Sequence, residues 1–219
     1  LPVNQAQKYT AHPVSWEVDG LTLAGLRWGS PGGTPLLAVH GWLDNAASFT
    51  PVAHLLAGFD IVALDLTGHG QSDHRSPDAT YQIWDDLPEI LGVLDALGWD
   101  TFDLVGHSRG AIISTLLAAS CPERVRHVVL LDAVMPAPTP AEDFPVQLRK
   151  GLDDKMSLPD RERKRIKHKE AAVHARILTG LDEPSARLLA ERNLEPYRGG
   201  YRWSTDPRLQ GASPVKLGP

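Results

Sequence analysis

The chain has 219 residues, 42% of them hydrophobic and 22% charged, which suits one large globular domain, or one domain with an insertion, around a sizeable core. Its net charge of −5 offers no overall basic field for nucleic acid. The single cysteine, Cys121, excludes an internal disulfide and fits a reducing, cytoplasmic setting. No apolar run approaches the ~20 residues of a membrane-spanning helix, and Leu1-Pro2-Val3-Asn4-Gln5 lacks the basic and apolar regions of a secretion signal.

In chain order, Val14–Val18 alternates apolar and polar residues, Asp19-Gly20 signals a tight turn, and Leu21–Trp28 returns. This predicts an antiparallel hairpin at a sheet edge. Leu36–Val39 and Asp60–Leu66 are short continuous apolar runs, as expected of strands covered on both faces. Ala46–Leu56 reads as a helix, with Pro51 counting against an unbroken one, and Gly68–Asp73 reads as a loop. Tyr81–Leu97 has apolar residues at helical spacing and ends at Gly98, with Pro88 dividing or kinking it. Phe102–Val105 is the next strand, Ala111–Ser120 the next helix, and Val125–Leu131 a further buried strand. Trp16, Trp28, Trp84 and Trp99 read as packing residues, and Cys121 as a small buried residue at a helix end.

Strands alternating with helices predict an α/β fold with a mostly parallel sheet, in which ligands sit at the carboxyl ends of the strands. At Pro136-Ala137-Pro138-Thr139-Pro140 the composition changes, and Ala141–Asn193 looks helical with no strand-like run. The expected organisation is therefore a core over 1–135, a helical lid over 136–205 and a tail over 206–219. The basic run Arg161–Lys169 lacks interleaved aromatics and reads as a solvated helix face.

The chemistry concentrates in Gly106-His107-Ser108-Arg109-Gly110. A G-x-S-x-G between strand and helix reads as a nucleophile elbow, a strained turn that lifts a serine hydroxyl above the sheet and tolerates only small neighbours. A glycine-rich turn with an idle serine is the alternative. A developing oxyanion needs two donors. One is the backbone N–H of Arg109, and the other, from the loop His40-Gly41-Trp42, is that of Trp42. His40, Gly41 and Trp203 are candidates for the substrate pocket. Asp132, after the strand ending at Leu131, is a candidate acid. None of the nine histidines has the context of a catalytic base: His40 and His107 flank key positions but should point away from Ser108.

Three stretches stand in order: His40-Gly41-Trp42-Leu43-Asp44-Asn45-Ala46, Asp65-Leu66-Thr67-Gly68-His69-Gly70-Gln71-Ser72, and the elbow. Together they resemble the α/β-hydrolase superfamily. The first stretch, with Tyr201–Leu209, is similar to its serine hydrolase-like branch. The resemblance implies the α/β-hydrolase fold, Ser108 as nucleophile, oxyanion donors at Trp42 and Arg109, a small-molecule acyl substrate, and no cofactor or metal. It also implies an acid and a histidine on strands after the lid, and the residues from Gln210 to Pro219 carry neither. The expectations are a serine hydrolase impaired in this form, or alternatively a ligand-binding pseudo-hydrolase. Val125–Leu131 is expected to be a bare sheet edge, open to self-association or to a C-terminal fragment.

Overall fold

The computed structural model describes residues 10–135, 140–158 and 164–213. Its centre is a six-stranded sheet in the order β1-β2-β4-β3-β5-β6. The strands are His12–Val18 (β1), Leu21–Gly29 (β2), Thr34–Val39 (β3), Phe59–Leu64 (β4), Phe102–His107 (β5) and Val125–Leu131 (β6). The expected hairpin is there: β1 and β2 pair antiparallel, and Asp19 (φ 50°) with Gly20 (φ 79°) form the turn. β2 lies antiparallel to β4, and the β4-β3-β5-β6 block is parallel throughout.

The continuous apolar runs have the two-sided burial they predicted. Leu37 and Val39 face one core with Val62, Leu64 and Leu104, while Leu36 and Ala38 face a second core with Ile61 and Ala63. Successive side chains of a strand point to opposite faces, so each run feeds both cores. The first core is closed by helices Asp86–Ala96 (α2) and Arg109–Ser120 (α3), through Ile90, Val93, Leu94, Ile113 and Leu117. The second is closed by a 3-10 turn at Ala46–Phe49 and the single helical turn Thr50–Ala53 (α1).

Several expectations need correction. Residues 46–56 do not form one helix; Pro51 sits at the start of α1, where its missing N–H has no helical partner to lose. α2 begins only at Asp86, which puts Pro88 in the first turn rather than at a kink. Trp28 and Trp99 are buried, but Trp84 is 37% exposed and is no packing residue. β6 is not a buried strand: Val128, Val129 and Leu131 are 36%, 53% and 45% exposed, because among the described residues only β5 pairs with it.

Beyond the core come helices Phe144–Ser157 (α4), Lys169–Ile177 (α5) and Glu183–Arg192 (α6), then a hairpin of Leu194–Tyr197 (β7) and Gly200–Trp203 (β8). The hairpin contradicts a wholly helical reading of this stretch. Its turn, Arg198 (φ 47°) and Gly199 (φ 71°), uses a residue–glycine pair between tyrosines, a signal present in the sequence. At the start of the 206–219 tail, Asp206 caps a 3-10 turn and its N–H donates to the Gly68 carbonyl at 2.8 Å. Within the basic run, Lys164 and Arg165 are exposed, as expected of a solvated face, while 161–163 lie outside the described residues.

Candidate active site

Ser108 occupies the junction of β5 and α3 with φ 51° and ψ −114°, a conformation that L side chains other than glycine rarely adopt. Three close contacts hold it there. A Cβ on Gly106 would lie 2.4 Å from the Gly110 carbonyl oxygen, and one on Gly110 would lie 2.1 Å from that of Val39. Neither carbonyl can retreat without breaking its strand or helix, so both glycines of the elbow are required by contact. The Ser108 N–H donates to the Leu131 carbonyl at 2.8 Å, which ties the turn to the end of β6.

The contact between Gly110 and Val39 also brings the amino end of α3 against the loop that leaves β3. That loop holds Trp42, whose indole N–H donates to the Leu209 carbonyl at 2.8 Å while half the side chain stays exposed. Among the described residues, the backbone N–H groups of Trp42 and Arg109 donate to no acceptor. Arg109 follows the half-buried Ser108 directly, and Trp42 lies in the loop that leaves β3 at the same edge of the sheet.

His40 does not enter a pocket as expected. It has no exposed surface, and both ring nitrogens serve the backbone: Nε2 accepts from the Leu66 N–H at 3.0 Å, so Nδ1 carries the proton and donates to the Gly41 carbonyl at 2.7 Å. Burial lowers its pKa and keeps it neutral. His69, in edge contact with it, is also buried; desolvation first, then His40 and Arg109, push its pKa well down. Gly41 is buried against His107. Trp203 packs on the small core of α5 and α6, with Ala172, Val173, Ala186 and Ala190. Asp132 stands exposed just past β6, with φ 67°.

The histidines with hydrogen-bonding or ionic partners are directed elsewhere than Ser108. His69 contacts Thr67, His74 the Ser204 carbonyl, His127 Asp103, and His107 lies 4.0 Å from Asp44. A cavity of about 120 Å³ beside Gly29, Gly33 and Phe59 sits at the amino ends of β3 and β4, on the opposite edge of the sheet from Ser108.

The carboxylate that organises the site was not singled out in the sequence. Asp65, fully buried, accepts from Ala46 N–H at 2.7 Å and Gln71 N–H at 2.9 Å, and pairs with Arg192 at the end of α6. It thereby joins the loops after β3 and β4 to the helical segment. Arg176 pairs with Asp44, Asn45 donates to the Leu189 carbonyl, and Asn193 donates to that of Leu43. The segment 164–213 is thus seated on the carboxyl ends of β3 and β4. In the sequence Asp65 ends an apolar run and opens the Asp65–Ser72 stretch, but its partner Arg192 lies 127 positions away.

Elbow, parallel sheet and seated helical segment together are those of an α/β hydrolase, and the chain belongs to that family: the model of the alpha/beta hydrolase fold matches residues 34–204. Among curated proteins it is similar to several serine hydrolase-like proteins. It is 32% identical to the "Serine hydrolase-like protein" of Danio rerio over 203 residues, 90% of this chain and 61% of that one. The chain spans about three fifths of the length of such curated relatives. Among solved structures, a hypothetical protein from Pseudomonas aeruginosa PAO1 is 42% identical with a TM-score of 0.90, over 94% of this chain and 74% of that one. A thioesterase domain from the curacin biosynthetic pathway is 29% identical with a TM-score of 0.82, over 92% and 72% of the two chains. Among the described residues, no helix is long and apolar enough to cross a membrane.

Proposed function

We propose that this chain carries the nucleophile and oxyanion donors of a serine hydrolase acting on carboxylic esters or related acyl compounds. The strained backbone of Ser108 carries the reading. A non-glycine residue at φ 51° costs of order 1–3 kcal/mol and persists only where its surroundings over-determine it. In this reading Ser108 Oγ attacks the acyl carbonyl, the backbone N–H groups of Trp42 and Arg109 receive the oxyanion, and water releases the acyl-enzyme. Asp132 is the proposed acid. Residues 136–205 are the proposed lid, because α5, α6 and their flanks bear on the loop after β3. The thioesterase neighbour supports acyl chemistry.

Among the described residues no histidine is hydrogen-bonded to Ser108, so the general base is unassigned. We propose that the exposed β6 edge is where a C-terminal fragment or a second copy of the chain pairs. Without a base, turnover falls by roughly 10⁶, leaving what the oxyanion donors and binding supply. We also place the protein in the cytoplasm.

The test is hydrolysis of p-nitrophenyl butyrate by the full-length protein. Ser108→Ala is expected to lower kcat by at least about 10³; unchanged turnover defeats the reading. The rival, a ligand-binding pseudo-hydrolase, is favoured by the same lack of a histidine on Ser108. It predicts no turnover in the full-length protein and no Ser108-dependent labelling by a fluorophosphonate.

A further inference from the structure

A chain of buried charge runs from the residue after Ser108 to the far end of the helical segment. The Arg109 guanidinium meets Asp86 of α2 as an ion pair at 2.7 Å, with the carboxylate only 1% exposed. The other Asp86 oxygen accepts from Arg75 at 3.2 Å. Arg75 is itself buried, and donates to both oxygens of Glu89, at 3.0 and 2.8 Å. Burial alone would lower the Arg75 pKa, but Glu89 and Asp86 outweigh it and hold the pKa above its ordinary value.

The backbone of Arg75 continues the chain. Its N–H donates to the Tyr81 hydroxyl at 3.0 Å, and its carbonyl accepts from Arg208 at 2.6 Å. Tyr81 donates to Asp206 at 2.8 Å, and its ring lies 5.1 Å from the guanidinium carbons of both Arg75 and Arg208. Arg208 and Asp206 then pair with each other at 2.7 Å.

Such a network is an expensive way to stabilise a fold, because its ions lose their hydration and apolar residues of similar volume often serve as well. Its position gives it another use. Ser108 and Arg109 are fixed on one side by Gly110 against Val39 and on another by the Ser108 N–H on Leu131, both backbone contacts. Among the described residues, Asp86 is the side-chain anchor of Arg109.

We propose that Asp86 and Arg75 are positioning residues for the oxyanion donor. They fix the Arg109 side chain, and through it the direction of the Arg109 N–H. Asp206 and Arg208 lock this relay to the seated state of the 206–210 turn, so the nucleophile turn is fully ordered only while that turn is docked. The catalytic part of this proposal rests on the reading of Ser108 as nucleophile; the structural part does not.

The experiment combines amide hydrogen exchange with kinetics on the full-length protein. Asp86→Asn is expected to speed exchange of the amides at 108–111 by at least about tenfold, and to lower kcat for p-nitrophenyl butyrate by about 10–100-fold with KM nearly unchanged. Arg208→Met is expected to act in the same direction, about threefold to tenfold. Unchanged exchange at 108–111 in Asp86→Asn overturns the proposal whether or not the protein turns over. Faster exchange confined to 75–82 in Arg208→Met overturns the lock. Faster exchange at 108–111 in a protein with no Ser108-dependent hydrolysis supports the relay and defeats the hydrolase reading instead. Should Asp86→Asn not fold, the charge-free pair Asp86→Leu with Arg109→Met restores packing. It is expected to fold while kcat stays low, and recovery of kcat along with stability overturns the proposal.

Discussion

β4 and β6 look alike as sequence and differ as structure. Ile61-Val62-Ala63-Leu64 and Val128-Val129-Leu130-Leu131 are both apolar runs in the same sheet. The first is at most 2% exposed, while in the second Val129 is 53% exposed and Leu131 45%. β4 has strands on both sides, a core on each face and Asp65 just beyond its end; β6 has one neighbour among the described residues. Apolar continuity announces a strand, but burial depends on what else packs there, and that is not written in the strand itself. The difference separates a strand packed on both faces from one left half open among the described residues.

Breaking the tightly held side gives the largest effect. Arg192→Met removes the ion partner of the fully buried Asp65. Urea unfolding is expected to show a loss of about 3–5 kcal/mol; a loss below ~1 kcal/mol would mean that Asp65 is satisfied by its backbone donors alone.

The same substitution placed on each strand sharpens the contrast. Val62→Thr buries a hydroxyl and is expected to cost about 1–3 kcal/mol. Val129→Thr in the 219-residue chain is expected to stay within about 0.5 kcal/mol. Equal losses would show that β6 is covered in solution.

The smallest effect is a pH slope. The buried His40 and His69 both have pKa values lowered from 6.5. Below pH 6.5 the unfolded chain takes up protons that the folded chain refuses, so stability falls as pH falls, by up to about 1.4 kcal/mol per pH unit for each histidine. The loss stops once the folded-state pKa is passed. Asp206, held below its usual 3.8 by Arg208 against the opposing effect of burial, contributes its own loss only in stronger acid. His69→Gln is expected to shrink the slope between about pH 6.5 and 5; an unchanged slope assigns it to other groups.

What the sequence disclosed was local. The Asp19-Gly20 hairpin, the apolar runs and the elbow are each contained in a few residues, and each sits where its pattern put it. Hidden features were those whose cause is remote. The ties of Asp65 to Arg192 and of Tyr81 to Asp206 span 127 and 125 positions, and no window of sequence contains both ends. β7 and β8 escaped notice because each has four residues with charges or proline among them, and they are supported by a satellite core rather than the main sheet. His40 looked like a pocket residue because it adjoins Gly41; only the Leu66 N–H on its Nε2 reveals a scaffold role.

One contact deserves a mechanical reading. The Ser108 amide is pinned by the carbonyl of Leu131, the last residue of the least covered strand in the sheet. The strained turn at Ser108 is therefore hydrogen-bonded to the end of a strand that, among the described residues, only β5 flanks. A shift of the Leu131 carbonyl is therefore a shift of the acceptor that holds the Ser108 amide, so the elbow and the end of β6 are coupled by one hydrogen bond.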